Sequence, residues 1–174
     1  EEIFNTVHLQ APNILEIGAG TGMYVEKFLS NYNPAMYEVY ETNLNWVAYL
    51  KEEYASKGNL KFQHADGTSL HQSASNSVDL LTMHGVTVYI PVILSVNYLN
   101  EMYRVCKSGG FIIFDCFTDE NFTLSTVNNW LEDTYEYTFP VVISMNLINE
   151  FAEKNNLSLV KKFDIQYHAS KSTY

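Results

Sequence analysis

Short apolar segments alternate along the chain with segments whose apolar residues recur at helical spacing. Apolar runs of about 4–8 residues bounded by Gly or Pro are typical of buried strands. Apolar residues at i, i+3, i+4 and i+7 are typical of an amphipathic helix. The pattern predicts strands over 13–17, 36–41, 60–65, 78–83 and 111–117. It predicts helices between them, one containing Val25 to Tyr32, one over 44–54 and one from Pro91 to Cys106.

This alternation predicts an α/β fold, since strand–helix–strand crossovers place helices on both faces of a parallel sheet. After residue 117 the pattern predicts a helix near 123–132, another around 147–152 and a sixth strand over 157–167. The chain turns at 169–171 and stops as a seventh, antiparallel strand begins, which we expect to be cut short. The predicted fold is a doubly wound, mostly parallel, seven-stranded Rossmann-like sheet in a single domain over 1–174.

The charge of the chain narrows the class of partner. Its 174 residues include 10 Lys and Arg against 20 Asp and Glu, a net charge of −10. Nucleic acids and anionic membranes are bound mainly through Lys and Arg, so neither is an expected partner. No apolar run reaches the roughly 18 residues of a membrane span, and the first ten residues lack a signal-peptide pattern. These features predict a cytoplasmic protein and leave its oligomeric state open.

The most informative segment follows the first predicted strand and reads Glu16-Ile17-Gly18-Ala19-Gly20-Thr21-Gly22. Glycines between a strand and a helix allow positive φ and let the backbone approach a ligand closely. The following helix directs unpaired N–H groups towards the same place, at the carboxyl ends of the strands where α/β sheets bind ligands. The alternative is a tight turn without a ligand.

Glu41 ends the second predicted strand, 21 residues after Gly20. A carboxylate there can accept hydrogen bonds from both hydroxyls of a ribose. The alternative is an ordinary solvated glutamate at a strand end. A dinucleotide fingerprint would read G-x-G-x-x-G, but here Gly22 comes one residue early and Met23 occupies the expected glycine position.

The segment Glu16-x-Gly18-x-Gly20-x-Gly22 resembles motif I of the class I S-adenosylmethionine-dependent methyltransferases. The resemblance continues in order through Glu41-Thr42-Asn43, residues 65–70, residues 76–81, His84-Gly85-Val86 and residues 101–110. It implies S-adenosyl-L-methionine as cofactor and S-adenosyl-L-homocysteine as product. The implied cofactor-binding residues are Glu16, Gly18, Ala19, Gly20, Thr21, Gly22, Glu41, Thr42, Asp66, Gly67, Thr68, His84 and Gly85.

Within this set, the resemblance implies that Asp66 faces the amino group of the adenine. A carboxylate can accept from an exocyclic amine, and the N–H of Gly67 or Thr68 can meet a ring nitrogen. Glu16 is expected to hold the glycine loop or, through water, the amino group of the methionine part. For Asp66 the alternative is an Asx turn at the start of a loop.

The methyl acceptor is predicted to be a small molecule, a sugar or another hydroxyl compound. We place it at the aromatic-rich segment 118–143, because Trp, Tyr and Phe suit sugar rings and organic molecules. The alternative is that these aromatic residues only cap the sheet. Neither Cys106 nor Cys116 has metal-site spacing, and Asp79 lies at the wrong end of its strand, so no metal is predicted.

His84 is the candidate catalytic residue. A sulfonium is a strong electrophile, so alignment supplies much of the catalysis and a base is needed mainly for a hydroxyl acceptor. His84 follows the fourth predicted strand, where its imidazole, with an unperturbed pKa near 6.5, could take that proton. The alternative is a residue that lines the methionine part of the cofactor. Two other functions stay open, an NAD-dependent oxidoreductase and a non-catalytic adenosyl-binding module of a larger protein.

Overall fold

The computed structural model describes residues 1–132, 140–167 and 170–174. The chain divides into two compact units, the first formed by Glu1–His84 with Val96–Ile113 and the second by Gly85–Ser95 with Phe114–Tyr174. The single domain over 1–174 and the acceptor role of 118–143 stay predictions. Within the ranges described, no helix is both long enough and apolar enough to cross a membrane.

Helices and strands alternate through most of the chain. In order they are α1 (Glu2–Thr6), β1 (Asn13–Ile17), α2 (Met23–Tyr32), β2 (Met36–Glu41), α3 (Leu44–Glu53), β3 (Leu60–His64), β4 (Val78–Met83), α4 (Val92–Val105), β5 (Cys106–Phe114), β6 (Phe117–Thr118), α5 (Leu124–Glu132), β7 (Val142–Ile143), α6 (Met145–Lys154), β8 (Asp164–Tyr167) and β9 (Ser170–Thr173).

A five-stranded sheet with the order β3-β2-β1-β4-β5 forms the centre of the first unit. Strand β1 pairs in parallel with β2 and β4, and β2 pairs in parallel with β3. The register places Ile17 opposite Tyr40 and Met83, and Glu41 opposite His64. The carboxyl ends of β1 to β4 therefore lie at one edge. This confirms an α/β, Rossmann-like fold with a mostly parallel central sheet.

Helix α2 packs its apolar stripe on this sheet. Val25, Phe28 and Tyr32 are buried, as their spacing predicts, and Phe28 meets Tyr37 of β2 with ring centroids 6.3 Å apart. The helix ends at Tyr32 and is capped by Asn33, which adopts φ 45° before Pro34. A short helix that the hydrophobic pattern did not predict, α1, contributes Phe4 to the same cluster, 5.3 Å from Phe28.

The second unit has small sheets in the part of the chain that the structure describes. Strands β6 and β7 are parallel, and β8 pairs antiparallel with β9 from Asp164 opposite Thr173 to Tyr167 opposite Ser170. The sixth strand predicted over 157–167 is confirmed only for Asp164–Tyr167. Leu159, one of the alternating residues, and its neighbour Val160 on the opposite face are 78% and 60% exposed, so neither face is buried at that point. The seven-stranded sheet with an antiparallel last strand is not confirmed.

Two further boundaries differ from the hydrophobic pattern. Strand β5 begins at Cys106 rather than at residue 111, directly after α4, and ends at Phe114. In α4 the buried stripe is Tyr98, Leu99, Met102 and Val105. The hydrophobic spacing predicts a buried stripe of Val92, Val96, Leu99 and Tyr103, with Met102 and Cys106. Tyr103 is instead 42% exposed, because the buried face is rotated relative to the one that the pattern indicated.

Candidate functional site

The glycine loop joins β1 to α2 at the carboxyl edge of the sheet. Gly18, Gly20 and Gly22 have φ values of 74°, 52° and 87°, which residues with a side chain rarely adopt. The loop is fixed by the Gly18 N–H, which donates to the Tyr40 carbonyl at 2.8 Å. A Cβ atom on Gly20 would meet no heavy atom within 4 Å. The loop therefore leaves open space at Gly20 in which a ligand can contact the backbone.

Glu41 is tied to this loop. Its Oε2 accepts from the Gly20 N–H at 3.0 Å and its Oε1 from the Asn43 N–H at 2.8 Å. The side chain is buried, and Oε1 also accepts from the Thr42 hydroxyl at 3.5 Å, which leaves a second acceptor position on Oε2. The structure thus brings together two of the features that the sequence singled out, the glycine loop and the acid that ends β2.

Asp66 begins the loop after β3. Its Oδ1 accepts from the N–H groups of Thr68 and Ser69, both at 2.7 Å, and its Oδ2 accepts from the Ser69 hydroxyl at 2.7 Å. These hydrogen bonds, the one from the Ser69 hydroxyl above all, hold the pKa of Asp66 well below its usual range. Asp66 therefore stays charged and stabilises its own loop, which is the geometry of the Asx-turn alternative. A further lone pair on Oδ2 is compatible with an adenine contact as well.

The loops after β2 and β3 are neighbours. A Cβ on Gly67, whose φ is 81°, would lie 3.8 Å from Cγ2 of Thr42. Thr42 follows Glu41 directly, so the predicted ribose and adenine residues line adjoining segments of one edge. Ala19 is buried in the glycine loop, whereas Thr21 and Thr68 are exposed.

Tyr98 is a residue of this edge that the sequence analysis missed. It is 3% exposed, and burial raises its pKa to about 12, with further contributions from the charges of Asp66 and Glu41. Its hydroxyl is therefore neutral and lies close enough to both carboxylates for their charges to raise its pKa. The available signal was the spacing of Tyr98, Met102 and Val105 at i, i+4 and i+7, which marks the true buried face of α4.

His84 follows β4 and is buried. Its ring stacks on Tyr24, with centroids 3.8 Å apart and planes at 16°, and lies 6.0 Å from the Phe28 ring. Burial, together with a smaller contribution from the charge of Lys27, lowers the pKa of His84 to about 3. The imidazole is therefore neutral at neutral pH, and the unperturbed pKa near 6.5 does not apply. Its role as a base stays a prediction.

Glu16 lies on β1, two residues before Gly18 of the glycine loop, and is 1% exposed. The hydroxyl of Tyr37 donates to its Oε2 at 2.5 Å, while Oε1 is buried with no hydrogen-bond partner among the described residues. Burial raises the pKa of Glu16 to about 7, opposed by the bond from Tyr37 and supported by the charge of Glu41. Glu16 therefore titrates near neutral pH.

Glu16→Gln should reduce the pH dependence of stability. The folded protein binds more protons than the unfolded chain between the ordinary pKa of 4.5 and about 7, so the free energy of unfolding falls as the pH rises. A neutral glutamine removes this fall, a gain on the order of 3 kcal/mol at pH 8.5. Urea unfolding at pH 5.5 and 8.5 measures it, with exposed Glu52→Gln as control. Equal pH slopes in the wild type and Glu16→Gln would contradict the burial argument.

Gly85 belongs to the second unit, where its N–H donates to Oδ1 of Asp115 at 2.7 Å. Asp115 also accepts from the Ser172 hydroxyl at 2.7 Å, and its burial raises its pKa. Burial likewise raises the pKa of the Cys116 thiol to about 12, so that sulfur is a poor nucleophile. In the described ranges, no group of three or more His, Cys, Asp or Glu residues is arranged to hold a metal ion.

Comparison with known proteins extends these observations. A sequence profile described as "Methyltransferase domain" matches residues 15–114. Malonyl-[acyl-carrier protein] O-methyltransferase 1 of Ilyobacter polytropus is 23% identical over 159 residues, which are 88% of this chain and 56% of that protein. Malonyl-[acyl-carrier protein] O-methyltransferase of a Marinomonas species is 29% identical over 106 residues, 60% of this chain and 38% of that protein. The chain thus spans about half or less of these relatives.

A solved structure shows the same fold. Magnesium protoporphyrin IX methyltransferase from Synechocystis PCC 6803, with S-adenosylhomocysteine bound, has a TM-score of 0.75 and 14% identity, over 99% of this chain and 76% of that one. The glycine loop, the acid that ends β2 and the parallel sheet stand at the places that the resemblance implied. Because the methyltransferase profile covers more than half of its residues, this chain belongs to the class I S-adenosylmethionine-dependent methyltransferases.

Proposed function

We propose that the chain binds S-adenosylmethionine, the cofactor of its family, and transfers the methyl group to an oxygen atom of a small molecule. The observation that supports this best is the bond between the Gly20 N–H and Glu41 at the carboxyl edge of the sheet. It places open backbone and a fixed carboxylate side by side, as an adenosyl ligand requires. A cytoplasmic location and the absence of nucleic-acid and membrane partners stay predictions.

The residues at this edge fit the cofactor. The open space at Gly20 suits the methionine part, and Oε2 of Glu41 has an acceptor position for the ribose. The loop from Asp66 to Thr68 offers an acceptor and N–H donors for the adenine. When bound, S-adenosylmethionine supplies an electrophilic methyl group on a sulfonium. The contribution of the chain is to hold the ligand and acceptor in line, since alignment alone lowers such a barrier substantially.

An aromatic cluster in the second unit supports an acceptor with a ring. Phe117 packs edge-on against Trp130 and Tyr167, each with ring centroids 5.5 Å apart, and the hydroxyls of Tyr89 and Tyr167 are hydrogen-bonded. Such faces, with hydroxyls at their rim, suit a sugar or another hydroxyl compound. Three further aromatic residues of the predicted acceptor segment, Tyr135, Tyr137 and Phe139, lie outside the described residues.

A second acceptor class is a carboxylate on an acyl group. Two curated relatives are named for methylation of malonyl-[acyl-carrier protein] at oxygen. A carboxylate is already deprotonated at neutral pH and needs no base, whereas a hydroxyl must lose a proton. A histidine with a pKa of about 3 is a weak base, so the state of His84 favours this acceptor class over a hydroxyl.

An acceptor panel distinguishes these classes. The chain is incubated with S-adenosylmethionine and either hydroxyl compounds or malonyl thioesters, and both S-adenosylhomocysteine and the methylated product are quantified. We expect product with one class and none with the other. Cofactor binding without turnover on any acceptor, also in a protein with the length of the relatives, would instead support a non-catalytic adenosyl-binding module.

His84 variants test the candidate base. A base role predicts a loss of roughly 10²–10⁴-fold in turnover for both His84→Ala and His84→Phe, with unchanged cofactor affinity. The stacked, buried geometry leads us to expect the other outcome, in which His84→Phe keeps the contacts with Tyr24 and stays near wild type. His84→Ala then loses roughly tenfold in both affinity and turnover. We also expect the pH profile of the wild-type rate to show no step near pH 6.5. A base role would instead give such a step, and His84→Phe would remove it.

A further inference from the structure

Three polar residues of α4 form one stripe on the helix surface. Asn97, Glu101 and Arg104 stand at i, i+4 and i+7, so their side chains share a face. That face is polar, whereas Leu99, Met102 and Val105 of the same helix are apolar and buried. We call Asn97, Glu101 and Arg104 the α4 clamp. The motif resemblance includes residues 101–110 but implies no role for the side chains of Glu101 and Arg104, and Asn97 lies outside it.

The α4 clamp grips the backbone of the loop after β3. Asn97 Nδ2 donates to the Thr68 carbonyl, and Glu101 Oε2 accepts from the Leu70 N–H at 2.9 Å. Arg104 donates to the carbonyls of Leu70 at 3.0 Å and Ser73 at 3.1 Å. The helix thus satisfies polar backbone groups of a segment that has neither helix nor strand of its own.

The clamp is held rigid by its own ion pair. Arg104 donates from Nε to Oε1 of Glu101 and from Nη2 to Oε2, both at 2.8 Å, in the two-pronged geometry that only a guanidinium provides. The bond from Arg104 lowers the pKa of Glu101. Both groups are therefore charged at neutral pH, and the side chains are 34% and 21% exposed, partly shielded from solvent. Arg104 and Glu101 thus act as one preformed unit.

The gripped loop is the one that carries Asp66, Gly67 and Thr68. Its far side is anchored by Leu70, which is fully buried, and its near side by the bonds of Asp66 to Thr68 and Ser69. The contact of Asn97 falls on Thr68, two residues from Asp66. A shift of α4 or loss of its side chains would therefore move the Asp66 carboxylate and the neighbouring N–H groups.

We propose that the α4 clamp is a positioning device that fixes the loop after β3 and so selects adenine over other bases in the adenosyl ligand. Asn97, Glu101 and Arg104 are positioning residues, because they act through the loop. The inference rests on the proposed function. A base that carries a keto group in place of the adenine amine would lose the contact with Asp66, and this discrimination requires the loop to be held in place.

The test compares two ligands and two asparagines of α4. Calorimetry measures the affinity of the wild type, Asn97→Ala and Asn100→Ala for S-adenosylhomocysteine and for S-inosylhomocysteine. Asn100 is a matched control, since it is exposed and donates only to the Val96 carbonyl of its own helix among the bonds described. We expect Asn97→Ala to bind S-adenosylhomocysteine about fivefold more weakly and to lose a similar factor in the preference for adenine, with Asn100→Ala unchanged.

Arg104→Lys keeps the charge but cannot hold Glu101 and both carbonyls at once, so we expect a loss of about tenfold or more in affinity for S-adenosylhomocysteine. Combined with Asp66→Asn, the loss in Asn97→Ala should be smaller than in the wild-type background, because both changes affect the same contact. An equal loss of affinity for S-adenosylhomocysteine and S-inosylhomocysteine would overturn the positioning role. A lower melting temperature with an unchanged preference for adenine would overturn it as well. A wild type that binds neither ligand would overturn the proposed function together with the clamp, whereas normal binding by all variants overturns the clamp alone.

Discussion

Glu41→Ala is expected to weaken the binding of S-adenosylhomocysteine by about 10- to 150-fold, the equivalent of roughly 1.5–3 kcal/mol. The size of the effect follows from two consequences of losing one carboxylate. The ribose hydroxyls lose a charged acceptor, and the Gly20 and Asn43 N–H groups lose the partner that fixes the loop ends. Calorimetric titration at constant pH and salt measures the change.

Two further variants separate these consequences. Glu41→Gln keeps an acceptor oxygen for one N–H group but lacks the charge, so we expect an intermediate loss. Glu52→Ala removes a negative charge from an exposed position of α3 and should leave affinity unchanged, which controls for the net charge of the chain. An affinity in Glu41→Ala within twofold of the wild type would mean that Glu41 is only a structural anchor of the loop.

Gly20→Val and Gly22→Ala are expected to fail in different ways. Both glycines have positive φ, so each substitution strains the backbone by roughly 1–2 kcal/mol. At Gly20 the new side chain meets open space, so the protein folds but the ligand is displaced, and affinity for S-adenosylhomocysteine falls by about a hundredfold or more. At Gly22 a Cβ would lie 2.8 Å from Cδ2 of Leu50 and 3.2 Å from the Tyr54 hydroxyl.

The crowding at Gly22 predicts a loss of stability, about 2–4 kcal/mol including the strain, seen as a lower urea midpoint without ligand. Urea unfolding should therefore show the larger loss of stability for Gly22→Ala, whereas calorimetry should show the larger loss of affinity for Gly20→Val. If Gly20→Val unfolds as readily as Gly22→Ala yet binds S-adenosylhomocysteine normally when folded, the ligand does not use the space at Gly20.

Much of the central sheet could be predicted from the sequence. The bounds of β1, β2 and β4 agree with the hydrophobic pattern, because these strands are apolar along most of their length and end at glycine or polar residues. The meeting of Gly20 with Glu41 could be predicted as well. Parallel pairing places the carboxyl ends of the strands at one edge, and the chain order determines which loop follows each strand.

What could not be predicted depends on contacts between distant residues. The segment before β8 alternates like a strand, but alternation reports a potential for burial, and nothing covers Leu159 in the structure described. The pKa of Glu16 near 7 results from its burial, which outweighs the opposing hydrogen bond from Tyr37, 21 residues away. The pKa of His84 near 3 likewise results from burial, and the rings of Tyr24 and Phe28 pack beside it. The grip of Arg104 on Leu70 likewise joins residues 34 apart, which no local pattern indicates.

The most direct test of the central claim is a calorimetric titration of the wild-type chain with S-adenosylhomocysteine and, separately, with NAD. The spacing of Gly18, Gly20 and Gly22, with the acid Glu41 tied to the loop, predicts one-site binding of S-adenosylhomocysteine in the micromolar range or tighter and no measurable heat with NAD. Binding of NAD without binding of S-adenosylhomocysteine would contradict the account and favour an oxidoreductase on the same sheet.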